Sequence, residues 1–435
     1  MSEVDGSYLV ARTLKEENTE CLFYLMGGPN YEIINNSEDL GIKTYDFRHE
    51  QAAAMAAHAY SRVTRKPGVT TAASGPGTLN LLTGQYNAFI DCAPMITLGG
   101  AGPVKDFYRG GFQEIDQVSI FEKVSKATFR PTFAHQYPQV ISHAFRISQS
   151  GRPGPVYIDC NEDVLYEKIN EKDTSKATRS ELSSGPSGDE SIIKQTIELL
   201  KNSNAPIIFA GGGSFWSDSS KELKEFIDNS GIPFYTTPMS RGIVSDDHQY
   251  SFPAARSSAF RETDFVLVLG TRFNWIMTYG NRINPDAKII QVDILEEEIA
   301  HNRDVSLGIV GDCKTVISQL SEEFKNKNLF AFAGMYVMAL FIGAVHYIWT
   351  FMPSEAPGQD PGVVQEILWS FVPSSLGEML GFPLVMLFLA WFNRWINISS
   401  STKWFTTTMI VIAALPFTAW LIHAFAEESP VNFLS

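Results

Sequence analysis

The chain has 435 residues, of which 44% are hydrophobic and 19% are charged, and its formal net charge is −14. This length allows two to four domains of about 100–200 residues each. The acidic balance, with no run of basic residues, excludes a nucleic-acid partner, because phosphate contacts need clustered cations. The four cysteines are far apart and form no CxxC pair. This spacing argues against a disulfide scaffold and a thiolate metal site, and it suits a reducing compartment.

The first three quarters of the chain predict an α/β fold. Short β-branched runs alternate with helical segments, a pattern typical of doubly wound parallel sheets covered by helices on both faces. The predicted strands form two series, Cys21–Leu25, Gly68–Ala73, Met95–Gly99 and Val156–Asp159, then Pro206–Ala210, Phe265–Leu269 and Lys288–Val292. Residues 166–190 are polar and rich in Ser, Lys and Glu, which indicates a linker. We therefore predict two domains, at residues 1–165 and 191–327.

A helix is predicted from Arg48 to Arg62, directly after a short strand at Lys43–Phe47. The segment is rich in alanine, whose small side chain lets another backbone or a flat ligand approach closely. Glu50 lies in the first turn, where the helix dipole favours a carboxylate. Glu50 is therefore a candidate proton donor or acceptor for a heterocycle, or a solvated glutamate at a helix start.

Two glycine-containing segments follow as candidate binding loops. In the first, a strand runs into Ser74-Gly75-Pro76-Gly77, and a helix begins near Thr78. Backbone N–H groups then lie at the carboxyl end of a strand, where open α/β sheets bind ligands. A tight structural turn explains this segment equally well. The second segment, Gly110–Gln117, presents a compact polar set that is either part of a site or a helix cap.

The second module carries features typical of nucleotide contacts. Gly211-Gly212-Gly213 follows a strand, Arg272 follows Gly270, and Asp293 comes directly after the strand that ends at Val292. A carboxylate at a strand end can hold a ribose hydroxyl, and an arginine can hold a phosphate. Structural turns and a helix cap explain the same residues, so the pattern leaves both interpretations open.

Residues 328–435 have a different composition, with only eight charged residues and six of the eight tryptophans. Three apolar runs predict about three transmembrane helices, at Asn328–Met352, Met379–Asn393 and Trp404–Phe425, the second being short for a bilayer. These runs predict a membrane localisation. The basic residues that flank them predict the orientation, with residues 1–327 on the cytoplasmic side. Buried helices of a water-soluble fold are the alternative. A cytoplasmic protein is expected if the tail is an artefact of sequence joining.

Taken together, the motifs of residues 1–327 resemble thiamine-diphosphate (ThDP) enzymes of the acetolactate synthase type, and among these 2-hydroxyacyl-CoA lyase and oxalyl-CoA decarboxylase. The matching segments of the first module are Phe47–Ala53, Ser74–Gly77, Gly111–Gln117 and Gly151–Asp159. Those of the second module are Thr237–His248, Ala254–Ser257, Gly270–Trp275 and Gln291–Ile294. The segments of the second module favour the CoA-acting branch over acetolactate synthase.

The resemblance implies that Glu50 and Gln113 act in catalysis, with Glu50 hydrogen-bonded to the aminopyrimidine ring of ThDP so that a proton leaves the thiazolium ring. The cofactor contacts that it implies are Gly28, Ser74, Gly75, Pro76, Gly77 and Phe112. The positions that match the ADP contacts of oxalyl-CoA decarboxylase are Arg152, Arg272 and Asp293, so ADP is a second candidate ligand. Oxalyl-CoA decarboxylases tend to have Tyr-Glu where this chain has Phe112-Gln113, which favours the lyase.

Members of this family continue with a domain in which Gly-Asp-Gly and a later asparagine hold Mg²⁺ on the diphosphate. The chain contains no Gly-Asp-Gly, and its nearest segment, Gly311-Asp312-Cys313, lies in the second module. We therefore predict no metal ligands, half a ThDP site, and a chain that is inactive alone. The expected partners are an acyl-CoA-type small molecule and either a homo-oligomer or a separate subunit that carries the diphosphate domain. The alternatives are a membrane-tethered subunit, a non-catalytic nucleotide-binding protein, and an acetolactate synthase-like carboligase fragment.

Overall fold

The computed structural model describes residues 3–176 and 185–326. They form a six-stranded parallel sheet, a five-stranded parallel sheet and one small antiparallel pair, with helices packed on the sheets. The predicted α/β architecture of parallel-sheet modules is therefore confirmed for this part of the chain.

The first module contains eight strands and eight helices. The strands are β1 (Glu3–Asp5), β2 (Cys21–Tyr24), β3 (Lys43–Asp46), β4 (Gly68–Ala72), β5 (Met95–Ala101), β6 (Ala127–Phe129), β7 (Pro155–Asn161) and β8 (Lys168–Asn170). The helices are α1 (Gly6–Glu16), α2 (Tyr31–Asp39), α3 (Glu50–Thr64), α4 (Pro76–Asn80), α5 (Leu82–Ile90), α6 (Gln117–Glu122), α7 (Tyr137–Gln149) and α8 (Glu162–Leu165). The sheet order is β3-β2-β4-β5-β7-β6, and β1 pairs antiparallel with β8.

The inner strands of this sheet are covered on both faces. All residues of β4, β5 and β7 are buried, including the polar Asp159 and Asn161 of β7, which is typical of the inner strands of a parallel sheet. One face packs on α1 and α7, and the other packs on α3 and α5. The predicted close approach at the alanines of α3 is present, since a Cβ at Gly84 of α5 would lie only 2.4 Å from Ala54 Cβ.

The second module contains the other parallel sheet. Its strands are β9 (Pro206–Ala210), β10 (Phe234–Thr236), β11 (Phe265–Leu269), β12 (Lys288–Asp293) and β13 (Leu307–Val310), in the order β10-β9-β11-β12-β13. Its helices are α9 (Glu190–Lys201), α10 (Gly212–Trp216), α11 (Ser220–Ser230) and α12 (Arg256–Glu262), and residues 313–326 are also helical. Its largest core cluster joins α9, α11 and residues 313–326 to one sheet face.

All eight predicted strands, including Lys43–Phe47, are present, with ends that differ by at most two residues. The polar stretch predicted as a linker begins differently, because residues 168–170 form β8 against β1. The modules also contact each other directly. Trp216 Nε1 donates to the carbonyl of Asp91 at 3.2 Å, and Arg152 pairs with Glu298 at 2.9 Å.

The predictions of a transmembrane tail and a membrane localisation are corrected. Within residues 3–176 and 185–326, no helix has the length and apolarity that a membrane span requires. The longest helix there, α3, has 15 residues, includes charged and polar side chains, and is shorter than the roughly 20 apolar residues that a bilayer needs. The three apolar runs behind the prediction lie at 328–435, outside the described residues. The fold class of the described residues is α/β. The transmembrane tail, the membrane as a partner and the membrane localisation are not retained.

Candidate functional site

The turn Ser74–Gly77 connects β4 to α4 at the carboxyl end of an inner strand of the first sheet. Gly75 has a φ of +57°, and a Cβ there would lie 2.7 Å from the carbonyl oxygen of Gln113. Only glycine adopts this conformation at so close an approach without strain. The N–H of Gly75 donates to Gln117 Oε1 at 2.8 Å. The turn and the loop that ends at Gln117 are therefore in direct contact.

Glu50 is the first residue of α3 and is only 9% exposed. His49 caps the helix, with its Nδ1 accepting from the N–H of Gln51 at 3.1 Å. Asn80 Nδ2 donates to Glu50 Oε2 at 2.9 Å. In the described part of the chain, Oε1 receives no hydrogen bond. One carboxylate oxygen is thus fixed by the protein, and the other is available to a ligand.

Gly77 keeps space open beside that available oxygen. A Cβ at Gly77 would lie 3.3 Å from Glu50 Oε1 and 3.2 Å from Ala73 Cβ. A side chain here would therefore crowd the carboxylate, whereas glycine leaves room for a flat ring. The side chain of Glu50 is therefore mostly buried, with one oxygen bonded to Asn80 and the other left open beside Gly77.

The loop Phe107–Asp116 lies against the turn and carries two of the predicted residues. Gln113 has a φ of +55°, and its Oε1 accepts from Ser74 Oγ at 2.9 Å. The side chain of Phe112 is exposed. Glu114 holds the loop together by accepting hydrogen bonds from the backbone N–H groups of Gly111 and Tyr108. These hydrogen bonds, mainly the one from Gly111, lower the pKa of the Glu114 carboxyl below its usual value. Gln113 is thus fixed beside the turn, while Phe112 is free to contact a ligand.

The cofactor contact of Gly28 stays a prediction. Gly28 begins a short 3₁₀ turn after β2, and a Cβ placed there would meet nothing within 4 Å. The preceding Gly27 is the position where the backbone comes close, since its Cβ would lie 2.2 Å from Ala73 Cβ. The steric requirement for glycine is therefore at residue 27, and any contact from residue 28 is made by its backbone.

The structure brings together five of the predicted residues, Glu50, Ser74, Gly75, Gly77 and Gln113, and places Pro76 and Phe112 beside them. These residues fit the aminopyrimidine end of ThDP. Glu50 Oε1 accepts no hydrogen bond from the described residues, and Gly77 leaves the space beside it empty. The polar side chains of Ser74 and Gln113 lie at the turn. Among residues 3–176 and 185–326, no group of three or more His, Cys, Asp or Glu side chains could hold a metal ion.

The three predicted ADP contacts lie away from the turn, where the two modules meet. Asp293 ends β12 and is 9% exposed, and burial raises the pKa of its carboxyl above the usual value. Arg152 lies close enough to interact with that charge, and it also pairs with Glu298 and contacts Cys92 Sγ at 3.1 Å. Arg272 donates through Nη2 to the carbonyl of Ile90 in the first module, at 3.0 Å.

Two residues of the site were not predicted. Asn80 fixes Glu50 Oε2, and Gln117 accepts the N–H of Gly75. Each lies at the edge of a segment that the sequence singles out, but the sequence gives no signal for either contact. The bonded residues are separated by 30 and 42 positions along the chain, and only the packing of α3, α4 and α6 on the sheet brings them together.

Comparisons with known proteins agree with this geometry. The family description "Thiamine pyrophosphate enzyme, N-terminal TPP binding domain" matches residues 4–120, and "Thiamine pyrophosphate enzyme, central domain" matches residues 193–320. Thiamine pyrophosphate is ThDP. The chain is 37% identical over 330 residues to 2-hydroxyacyl-CoA lyase of Arabidopsis thaliana, and 34% identical over 328 residues to oxalyl-CoA decarboxylase of Escherichia coli K12.

Each of these two matches covers 74% of this chain and 58% of the relative. A probable acetolactate synthase large subunit of Methanococcus aeolicus is 34% identical over 336 residues, with 55% of its length covered. The chain therefore spans a little over half the length of these relatives. The resemblance to ThDP enzymes of the lyase and decarboxylase type is confirmed.

Proposed function

Since this chain belongs to the thiamine pyrophosphate enzyme family, we propose that its first module holds the aminopyrimidine end of ThDP for cleavage of a C–C bond. One observation carries the proposal: Glu50 is buried, with Oε2 fixed by Asn80 and Oε1 open beside Gly77. When bound, ThDP supplies an electron sink for the carbanion left by C–C cleavage. The protein's part is to hold the ring and to exchange a proton with it.

Glu50 is proposed to share a proton between Oε1 and a ring nitrogen. Its position suits that role, because Asn80 fixes the other oxygen and thereby sets the direction in which Oε1 points. A carboxyl group enclosed in this way loses little freedom when the ring binds, which favours general acid–base catalysis. Gln113 and Ser74, already hydrogen-bonded to each other, are proposed to orient the reacting groups at the edge of the turn.

The remaining predicted contacts are proposed to shape the space for the ring. Gly75, Pro76 and Gly77 contribute backbone and no bulky side chain, and Phe112 contributes an exposed aromatic face. Gly28 is proposed to contribute backbone only.

The diphosphate end of ThDP is proposed to be held outside residues 3–326. Two anionic phosphates need a cation together with N–H donors, and the described residues contain no candidate metal cluster. The full sequence also contains no Gly-Asp-Gly. A separate subunit that carries a diphosphate-binding domain is the proposed source, and residues 3–326 are proposed to be inactive without it.

An acyl-CoA is the proposed substrate class. Two of the relatives are named for 2-hydroxyacyl-CoA and oxalyl-CoA chemistry. A cavity of about 310 Å³ beside β10 supports this class through Arg256, whereas Arg241, which also lines it, is paired with Asp246 at 2.9 Å. Arg256 lies over the rings of Phe209 and Phe260 and makes no ion pair in the described part of the chain, so its charge is available to a phosphate.

The function is tested by adding a separate diphosphate-binding domain to the chain. The full chain is mixed with the diphosphate-binding domain of a ThDP lyase, ThDP and Mg²⁺, and the cleavage of a 2-hydroxyacyl-CoA and of oxalyl-CoA is measured. We expect cleavage of one of them in the mixture and none with either component alone. Absence of cleavage of both substrates in a mixture that binds ThDP would contradict the proposed substrate class.

ADP binding in the second module is a separate proposal. The buried carboxylate of Asp293 at a strand end supports it, as does the neighbouring charge of Arg152. We expect Asp293→Ala to weaken ADP binding about 10-fold or more, because a charged hydrogen bond to the ribose is lost. Asp286→Ala, at an exposed residue of the same module, should leave it unchanged. Calorimetric titration with ADP measures both, and equal affinities would contradict the assignment.

A further inference from the structure

Asp159 lies in β7 and is 1% exposed, and it is not among the residues proposed to hold the ring of ThDP. Its Oδ1 accepts hydrogen bonds from Gln117 Nε2, at 3.0 Å, and from the hydroxyl of Tyr157. Its Oδ2 accepts from Arg130 Nε at 2.7 Å. A buried carboxylate must be paired to be tolerated. The donors lie in α6, in β7 itself and directly after β6. The carboxylate therefore links β7 to α6 and to the segment that follows β6.

The first connection leads to the turn Ser74–Gly77. Gln117 Nε2 donates to Asp159 and to the carbonyl of Gly100, while Gln117 Oε1 accepts the N–H of Gly75. An amide has donors on its nitrogen and acceptors on its oxygen. Asp159 and the carbonyl of Gly100 both accept from the nitrogen, and Asp159 is the charged acceptor of the two, so it helps to hold the oxygen toward Gly75. The orientation of this one side chain therefore sets the position of the turn.

The second connection leads to the loop that carries Phe112 and Gln113. Arg130 donates through Nη2 to Asp116 Oδ1 at 3.0 Å, and its guanidinium lies 4.9 Å from the ring centre of Phe107. Phe107 and Asp116 are the two ends of that loop. A single guanidinium, held in place by Asp159, therefore contacts both ends of the loop.

We propose that Asp159 is a positioning residue that fixes the turn Ser74–Gly77 through Gln117 and the loop 107–116 through Arg130, so that both face Glu50 in one arrangement. The inference deepens the proposed function and rests on it for its catalytic meaning. The geometry itself does not depend on a cofactor. Asp159 touches neither the turn nor Glu50 directly, so it acts only through Gln117 and Arg130.

A merely structural ion pair would have a different effect on the molecule. Its loss would loosen β7 and the sheet around it as a whole. Loss of a positioning residue should instead loosen the two connected segments and leave the rest of the sheet protected. Hydrogen exchange of backbone amides distinguishes these outcomes, because it reports local opening segment by segment.

The test uses the full chain without cofactor and compares Asp159→Asn with the unchanged protein. The substitution keeps the shape but removes the charge that Arg130 needs. We expect exchange to accelerate about 10-fold or more in residues 74–77 and 107–117, since hydrogen bonds to a charged group are lost. Asp264→Asn is the matched control. That carboxylate accepts the N–H groups of Asn204 and Ala205 in the second module, so only residues near 203–205 should exchange faster.

Two further variants separate the connections and serve if Asp159→Asn does not fold. Arg130→Met should accelerate exchange in residues 107–116 while residues 74–77 keep their protection. Gln117→Met should accelerate exchange at residues 74–77. Uniform acceleration across the first module, or no acceleration in the connected segments of a folded variant, would overturn the inference.

Titration with ThDP and Mg²⁺, in the presence of a diphosphate-domain donor, then separates the inference from the proposed function. We expect the apparent Kd for ThDP to rise about 10-fold in Asp159→Asn and to stay unchanged in Asp264→Asn. If exchange responds as expected but the unchanged chain binds no ThDP, the proposed function fails and the positioning role stands. If ThDP binds equally well to Asp159→Asn and exchange is also unchanged, the positioning role fails and the proposed function stands.

Discussion

Replacement of Glu50 by glutamine should reduce ThDP-dependent turnover by about 10²–10⁴-fold, the usual effect of removing a general acid–base group. Glutamine fills the same space and can keep the hydrogen bond from Asn80 to its carbonyl oxygen. It cannot exchange a proton with a ring nitrogen, so the loss should fall on kcat. Turnover is measured with the full chain, ThDP, Mg²⁺ and a diphosphate-domain donor.

The matched control for this prediction is Glu122→Gln, which makes the same chemical change at an exposed residue of α6. It should retain the turnover of the unchanged chain. If Glu50→Gln keeps turnover within about three-fold of that control, Glu50 has no acid–base role in the reaction.

A second large effect is expected from Gly77→Ala. The new Cβ would lie 3.3 Å from Glu50 Oε1, in the space proposed for the ring. We expect ThDP affinity to fall about 10-fold or more, because the ring is pushed away from its carboxylate partner. The fold should tolerate the change, since alanine favours a helix over glycine by about 1 kcal/mol, which offsets the tight contact with Ala73 Cβ. Titration calorimetry and a thermal melt measure the two quantities.

Gly212→Ala is the matched control, because it also adds a methyl group to a glycine at the start of a short helix. Its Cβ would meet only Met239 Cβ, at an ordinary distance of 3.6 Å, in the second module. ThDP affinity should be unchanged there. Equal affinities for Gly77→Ala and Gly212→Ala would mean that the ring does not bind beside Glu50.

Local patterns in the sequence predict the fold and the outline of the site. The strands β4 and β9 follow from short runs rich in β-branched residues that lead into glycine-containing turns, and the start of α3 follows from its alanine-rich segment. Such signals depend on neighbours along the chain, which the sequence displays directly. Such signals also mark Glu50, Ser74 and Gly75 as candidates, whereas Gln113 is implied by the resemblance to ThDP enzymes.

Contacts between distant segments could not be predicted in this way. The bond from Asn80 to Glu50 and the bond from Gly75 to Gln117 depend on how helices pack on the sheet. The choice between Gly27 and Gly28 likewise depends on where Ala73 of the adjoining segment lies. The transmembrane tail was predicted from the apolar runs, the few charges and the tryptophans of residues 328–435, which lie outside the described residues.

The central claim is that the open oxygen of Glu50 holds the ring end of ThDP while the diphosphate is held from outside residues 3–326. Titration of the full chain with ThDP and Mg²⁺, with and without a diphosphate-domain donor, tests it most directly. We predict a Kd weaker than about 10 μM alone, much tighter binding with the donor, and at least a 10-fold loss in Glu50→Gln under the latter condition. Tight Mg²⁺-dependent binding by the chain alone, or equal affinities of the unchanged chain and Glu50→Gln, would contradict the account.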